Sequence, residues 1–118
     1  MFKIVMLIKK RPDITREAFM DYYTNHHVPY IHKLLPKGAA MHRRNFVLAP
    51  SPLGPDDYDV ISEVFYEDRA TAEGAMQAFA DPEIKRLAQE DEDKFILPGS
   101  IRRYIVEVHE TRYRPLPA

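Results

Sequence analysis

A short apolar segment near the start of the chain, Phe2–Ile8, limits the folds that the chain can adopt. Its apolar residues fall on both sides of a strand, with Ile4 and Ile8 on one side and Val5 and Leu7 on the other. A strand that is apolar on both sides is typical of the middle of a sheet whose two faces are both covered. We therefore expect this segment to be a central strand.

Patterns of strand and helix alternate along the rest of the chain. Thr15, Asp68 and Asp81 are suited to cap helices, and Pro29 is expected to kink or end the first helix around residues 26–28, because proline has no amide hydrogen. The predicted elements are strands over residues 2–8, 41–49, 58–66 and 101–109, a helix over 15–27 with a further turn over 30–35, a loop over 50–57, and a second helical region over 68–95.

These elements follow the order β-α-β-β-α-β, for which a ferredoxin-like α+β fold is the most economical arrangement. Its four-stranded antiparallel sheet would have the first and third strands in the middle and the helices on one face. The first, third and fourth strands carry apolar residues on both faces, so the uncovered face is too apolar for a monomer. We expect a single domain over residues 1–118, with an extended tail over 110–118, that forms a homodimer through its sheet.

Composition excludes several classes of function. The chain has no cysteine, which excludes thiol nucleophiles, cysteine-bound zinc and iron–sulfur clusters. A net charge of −1 provides no basic surface for nucleic acid. The apolar run Ile4–Ile8 is far shorter than the roughly 20 residues of a membrane span. We expect a cytoplasmic protein that binds neither nucleic acid nor a membrane.

Two histidines end an apolar helical stripe beside Pro29. An imidazole titrates near neutral pH, so one that faces a pocket can move a proton in catalysis. Helical periodicity places His26, rather than its neighbour His27, on the stripe that carries Tyr22 and Tyr23. The structural alternative is an imidazole that only interacts with the last carbonyls of its helix. The histidines show no ligand spacing, so no protein-held metal is expected.

Two carboxylates stand among apolar residues. Asp91 lies seven residues after Ile84 and four before Phe95, which places it on the apolar stripe of the second helical region. Glu63 lies in the middle of the apolar third strand. Each is a candidate acid, base or anchor for an imidazole. The structural alternative is a carboxylate paired with an arginine or with backbone amides.

At these residues the chain resembles the EthD family, from Phe2 to about His109. The motifs that carry the resemblance are Lys10-Arg11-Pro12, Glu17-Ala18-Phe19, Tyr22-Tyr23, His27-Val28-Pro29, Asp91-Glu92-Asp93-Lys94-Phe95 and the acidic Glu63 in the third strand. Two positions depart from the family pattern: Leu97 replaces a frequent aspartate, and His26 stands where histidine is unusual. The resemblance favours His27 as the imidazole that faces a pocket.

The resemblance implies a dimeric α+β barrel, in which two copies pack their sheets face to face. Each copy would hold a largely apolar cavity between its sheet and its own helices. Members and near relatives of the family include lactone isomerases and the decarboxylases, dehydratases and oxygenases of polyketide tailoring, which often need no cofactor. The family takes its name from a gene cluster for catabolism of an ether fuel additive, and more distant relatives bind haem.

We expect an enzyme without a cofactor, an isomerase, lyase or oxygenase, that acts on a small apolar or aromatic oxygenated compound such as a lactone or a polyketide-like molecule. His27 or His26 would move a proton, and the two carboxylates would orient or charge-balance the imidazole. Tyr22 or Tyr23 would hydrogen-bond a substrate oxygen. The alternative is a non-catalytic protein that holds an apolar ligand or haem in the same cavity, with a histidine as the axial ligand of the haem. A third alternative is a structural dimer with no ligand.

Overall fold

The structure is a computed structural model that describes residues 2–35, 37–48 and 58–117. Its elements run in the order β1 (Phe2–Ile8), α1 (Arg16–Tyr22), a π-helical turn (Tyr23–His27), α2 (Val28–Leu34), β2 (Ala39–Phe46), β3 (Val60–Tyr66), α3 (Arg69–Ala78), α4 (Pro82–Glu92) and β4 (Arg102–Glu107). The predicted order of strands and helical regions is confirmed. The loop expected over residues 50–57, and the end of the second predicted strand at Ala49, lie outside the described residues.

The strands form one antiparallel sheet in the order β2-β3-β1-β4, so the first and third strands are central as predicted. Ile4 lies opposite Val64 on one neighbouring strand and opposite Ile105 on the other, and the three side chains share the face that the helices cover. On that face Ile8 is 2% exposed and Val60 is fully buried. The ferredoxin-like α+β fold predicted from the sequence is confirmed.

Side-chain caps start the helices at the predicted residues. The side-chain oxygens of Thr15, Asp68 and Asp81 each accept a hydrogen bond from a backbone N–H in the first turn of α1, α3 and α4. Asp81 and Pro82 begin a second helix within the second helical region, as their N-cap and N1 positions predict. Phe95 follows α4 in a turn and is fully buried.

The first helical region is interrupted near the predicted residues, and the interruption is a π-helical turn over Tyr23–His27 after which the helix continues. The N–H of Val28 donates to the carbonyl of Tyr23, five residues earlier. Pro29 accounts for this turn, since its ring would clash with the carbonyl four residues earlier in a regular α-helix. A π turn holds one more residue than an α turn. As a result His27 is buried below Tyr23, and His26 is exposed.

The opposite face of the sheet is open. Met41, Ile61 and Tyr104 lie on it with 44%, 39% and 50% of their surface exposed. Val5 and Phe65, which lie on the same face, are only half-buried. The apolar residues that the sequence places on both sides of the central strands are therefore present, and the helices cover one side only.

The chain after β4 has no regular helix or strand over residues 108–117, and residues 109–117 are exposed. The strand itself is shorter at both ends than the predicted range of 101–109. In the described ranges, no helix combines the length and the apolar character needed to cross a membrane.

Candidate active site

A cavity of about 100 Å³ lies between the covered face of the sheet and the helices. Most of its wall is apolar, with contributions from Ile4, Met6, Ile31, Val64, Met76 and Ile101. The polar side chains within the wall are Tyr23, His27, His42, Tyr66, Glu92 and Arg103. His32, which is exposed, also lines the cavity, so the cavity opens to solvent on that side.

His27 and Asp91 form the central contact of this site. The π turn directs His27 inward, and Asp91 lies on the inner side of α4; the two residues are 7% and 6% exposed. Nδ1 of His27 and Oδ2 of Asp91 are 2.6 Å apart. The ring of Phe95 packs against the imidazole, with the ring centroids 4.9 Å apart. The structure thus brings together two of the residues singled out in the sequence.

The contact with Asp91 decides which nitrogen of His27 carries the proton. Burial lowers the pKa of His27 below its ordinary value of 6.5, and the hydrogen bond to Asp91 opposes this shift only in part. The imidazole is therefore neutral at pH 7, with Nδ1–H donating to the carboxylate. Nε2 keeps its lone pair and has no hydrogen-bond partner within the described residues. His27 lines the cavity, so Nε2 is the nitrogen available to a bound molecule.

Tyr22 lies behind Asp91 and not in the wall of the cavity. Its hydroxyl donates to Oδ1 of Asp91 at 2.5 Å. Burial, and then the contact with Asp91, raise the pKa of Tyr22 to about 12, so the hydroxyl keeps its proton. The sequence left open whether Tyr22 or Tyr23 contacts a substrate oxygen. The structure places Tyr22 against the carboxylate that contacts His27 and not in the cavity wall.

Tyr23 does line the cavity, but its hydroxyl already has partners. It lies 2.7 Å from Oγ of Ser62 and 3.4 Å from Nε2 of His42. Burial raises the pKa of Tyr23 to about 12. Burial, the charge of Arg44 and the nearby His27 lower the pKa of His42 to about 4. A second neutral imidazole therefore lines the cavity.

His26, which helical periodicity favours, lies outside the cavity. Its exposed ring stacks on Tyr22 with the ring centroids 5.1 Å apart, and its Nε2 is 3.9 Å from Oδ2 of Asp21. The periodicity argument assumes a regular α-helix, and the π turn places the next residue, His27, on the inner side instead.

Glu63 lies on the open face of the sheet, away from the cavity. It is directly opposite Val5 on β1 and Arg43 on β2, and the Lys3 ammonium donates to its carboxylate. The hydrogen bond from Lys3 is the largest cause of the lowered pKa of Glu63. The structure therefore does not bring Glu63 together with His27, the imidazole that it was expected to orient or charge-balance. Alternation along a strand tells which residues share a face, but not which face the helices cover.

Sequence reasoning missed five polar residues of the cavity: His32, His42, Tyr66, Glu92 and Arg103. Nη2 of Arg103 donates to Oε1 of Glu92 at 2.6 Å. Burial raises the pKa of Glu92, and the charge of Arg103 opposes that shift. The alternation of side chains along a strand could have indicated two of these residues. Arg103 shares its face of β4 with the inward-facing Ile105, and His42 shares its face of β2 with Phe46.

Comparison with known proteins places this chain in a family. The EthD domain model matches residues 11–99. The chain is similar to the crystal structure of an EthD family protein from Bacillus halodurans C-125, with 23% identity and a TM-score of 0.64 over 92% of this chain and 99% of that one. It is also similar to an EthD-like protein from Ralstonia eutropha JMP134, with 19% identity and a TM-score of 0.64 over 95% of this chain and 96% of that one.

A third similar structure is a dimeric ferredoxin-like protein of unknown function from Thermobifida fusca YX, with 10% identity and a TM-score of 0.55 over 91% of this chain and 90% of that one. No curated protein matches the chain significantly. The family model nevertheless spans most of the chain, from Arg11 before α1 to Gly99 before β4. The resemblance seen in the sequence is confirmed, and the chain belongs to the EthD family.

Proposed function

We propose that this chain is a small-molecule enzyme that performs acid–base chemistry without a cofactor. The observation that carries the proposal is the setting of His27, which has Asp91 at Nδ1 and an apolar cavity beside Nε2. In a catalytic triad, the imidazole moves the proton while a carboxylate orients it and stabilises its charged form. The cavity wall, as far as the described residues form it, contains no serine, threonine or lysine nucleophile. The site therefore suits proton transfer better than covalent catalysis.

The substrate would lose a proton to Nε2 of His27. Asp91 would stabilise the imidazolium that forms, because a neighbouring carboxylate favours the charged form of an imidazole. Return of the proton to a different carbon isomerises the substrate, and its transfer to a leaving group completes an elimination. A positioned base of this kind commonly contributes about 10² to 10⁴ in rate.

The cavity limits the size of the substrate. Its volume is about 100 Å³ and most of its wall is apolar. An apolar protein cavity of about 150 Å³ can hold benzene. The smaller volume here limits the substrate to a small oxygenated molecule of at most one ring, such as a lactone or a phenol, which presents apolar edges to the wall and an oxygen to its few polar groups.

Haem is the cofactor that distant relatives suggest, and Nε2 of His27 is the atom that would bind its iron. The volume of about 100 Å³ is small for such a ligand. Sites for drug-sized molecules measure roughly 300 to 1,000 Å³. The residues therefore fit a small oxygenated molecule better than haem.

Isomerisation of a β,γ-unsaturated γ-lactone to its α,β-unsaturated isomer tests the proposal, because it requires one proton to leave carbon and one to return. We expect His27→Gln to lower kcat/KM at least tenfold, with a circular-dichroism spectrum like that of the parent protein. Glutamine is preferred to alanine here because His27 is buried, and the glutamine amide can still donate to Asp91.

His26→Gln is the matched control, since this neighbouring imidazole is exposed and lies outside the cavity. It should change kcat/KM less than twofold. Full activity of His27→Gln would contradict the proposal. If the protein binds the lactone in a His27-dependent way but never isomerises it or exchanges its protons with solvent, the non-catalytic binding alternative is correct.

We also infer that two copies pair through their open sheet faces. Met41, Ile61 and Tyr104 expose large apolar surface there, and the similar Thermobifida fusca protein is described as dimeric. The opposite charges of Lys3 and Glu63 lie paired within the same face, so a partner would not bury an unpaired charge at their position. The interface should bury about 1,200 to 2,000 Å² or more.

Light scattering at micromolar concentration is expected to report about twice the chain mass of 13.8 kDa. Tyr104→Asp should shift the protein towards the monomer, because it puts an unpaired charge into an apolar interface. Leu116→Asp is the control, since Leu116 is 74% exposed in the tail beyond the sheet. A parent protein that remains a compact monomer would contradict the inferred dimer.

A further inference from the structure

Arg103 occupies a wall between two cavities. Its place on β4, two residues before Ile105, turns it towards the helices. A second cavity of about 230 Å³ adjoins the first. The residues that line both cavities are Phe79, Glu92, Ile96, Ile101 and Arg103. A molecule bound beside His27 can therefore extend as far as the guanidinium.

The guanidinium of Arg103 has more donors than protein acceptors. Nη2 donates to Glu92, and the planar group lies over the ring of Phe79 with 4.8 Å between its central carbon and the ring centroid. Nε is buried without an acceptor. Nη1 has no acceptor among the described residues, and Arg103 lines both cavities. Nη1 can therefore donate to an oxygen that a bound molecule supplies.

The charge of the site decides what kind of oxygen fits. Glu92 offsets the positive charge of Arg103, and the two buried imidazoles of the cavity, His27 and His42, are neutral at pH 7. The buried part of the cavity wall therefore carries no net charge to attract an ionised ligand. A neutral carbonyl oxygen suits it, and the guanidinium is available when negative charge develops on that oxygen during reaction.

We propose that Arg103 binds the carbonyl oxygen of an enolisable carbonyl compound, while Nε2 of His27 removes a proton from the carbon beside that carbonyl. The C–H bond breaks, its electron pair forms a C=C bond, and the carbonyl π pair moves to oxygen as an enolate. The proton rests on Nε2 and returns to carbon when the carbonyl re-forms. Glu92 is a positioning residue, because it acts by holding Arg103. This assignment rests on the proposed function and names its substrate class.

4-Nitrophenol is a suitable probe, because its phenolate is a flat, one-ring mimic of an enolate whose ionisation is visible by absorbance. We expect the wild-type chain to lower the pKa of bound 4-nitrophenol by at least one unit. Arg103→Gln should abolish this shift. Glu92→Gln should enlarge it, since it removes the negative charge that offsets Arg103, and a merely structural pair would not give opposite signs.

The double variant Glu92→Gln with Arg103→Gln keeps a neutral, hydrogen-bonding pair and serves as the folding control. It should lose the shift and keep its fold. The proposal is overturned if the wild-type chain leaves the pKa of 4-nitrophenol unchanged, or if Arg103→Gln preserves the shift. His27→Gln should retain the shift but lose lactone isomerisation. If His27→Gln instead keeps the isomerisation, the proposed function fails while the oxygen site at Arg103 stands.

Discussion

Replacing Asp91 with asparagine is expected to lower the rate of lactone isomerisation by up to about 10⁴-fold while the fold is kept. The carboxylate accepts from Nδ1–H of His27 at 2.6 Å, and this leaves Nε2 unprotonated. An asparagine amide can donate to Nδ1 instead, which favours the tautomer with its proton on Nε2. That tautomer cannot accept a proton from a substrate in the cavity.

The pH dependence provides a second measurement on the same variant. The rate for the parent protein should fall as the pH drops through the pKa of His27, which burial holds below 6.5. Asp91 raises that pKa, so Asp91→Asn should move the acid limb of any remaining activity to lower pH.

Asp21→Asn is the matched control for Asp91→Asn, because Asp21 lies 3.9 Å from the exposed His26 and outside the cavity. It should leave both the rate and the pH profile within twofold of the parent protein. If Asp91→Asn lowers the melting temperature but leaves the rate unchanged, the role assigned to the carboxylate is wrong. NMR of imidazole nitrogens would show directly whether the proton has moved to Nε2 of His27.

Acid is expected to destabilise the fold through His42. Burial, Arg44 and His27 lower the pKa of His42 from 6.5 to about 4 in the folded chain. Between those two pH values the unfolded chain binds a proton that the folded chain does not, so the free energy of unfolding falls as the pH falls. At about 1.4 kcal/mol per pKa unit, the loss between pH 7 and pH 4 is on the order of 3 kcal/mol.

Urea unfolding at several pH values measures this effect. His42→Gln should flatten the pH dependence between pH 7 and pH 4, because the glutamine does not titrate. His26→Gln is the control, since the His26 side chain is 60% exposed, and this substitution should leave the slope as it is in the parent protein. A His42→Gln slope equal to that of the parent would show that acid sensitivity arises from other groups.

Much of the fold is readable from local patterns. The two-sided apolar character of Phe2–Ile8 places it in the centre of the sheet, and Asp81 marks the start of α4 because its side chain can accept from the first-turn N–H groups. Helical spacing places Asp91 on the buried side of the same helix. Each of these features depends on residues within one or two turns of each other, so the sequence alone is sufficient.

Local patterns did not identify which imidazole faces the cavity. Periodicity favours His26 because it assumes a constant 3.6 residues per turn, and Pro29 makes the chain add a residue to the turn Tyr23–His27. The family resemblance favours His27, which the structure places in the cavity wall. The proline was visible in the sequence, but whether the helix would end or widen depends on the packing of Tyr23 and His27 against the core.

The sequence by itself determined the strand order, the helix starts and which residues share a face. Only the tertiary structure decided that the face of Glu63 is the open one, and that Arg103 meets Glu92 across the turn between α4 and β4. The physical reason is that the alternation of side chains along a strand is symmetrical. It separates the residues on the two sides of the strand but does not show which side the helices bury. That choice follows from the packing of whole elements, and it separates the residues of the cavity from those of the open face.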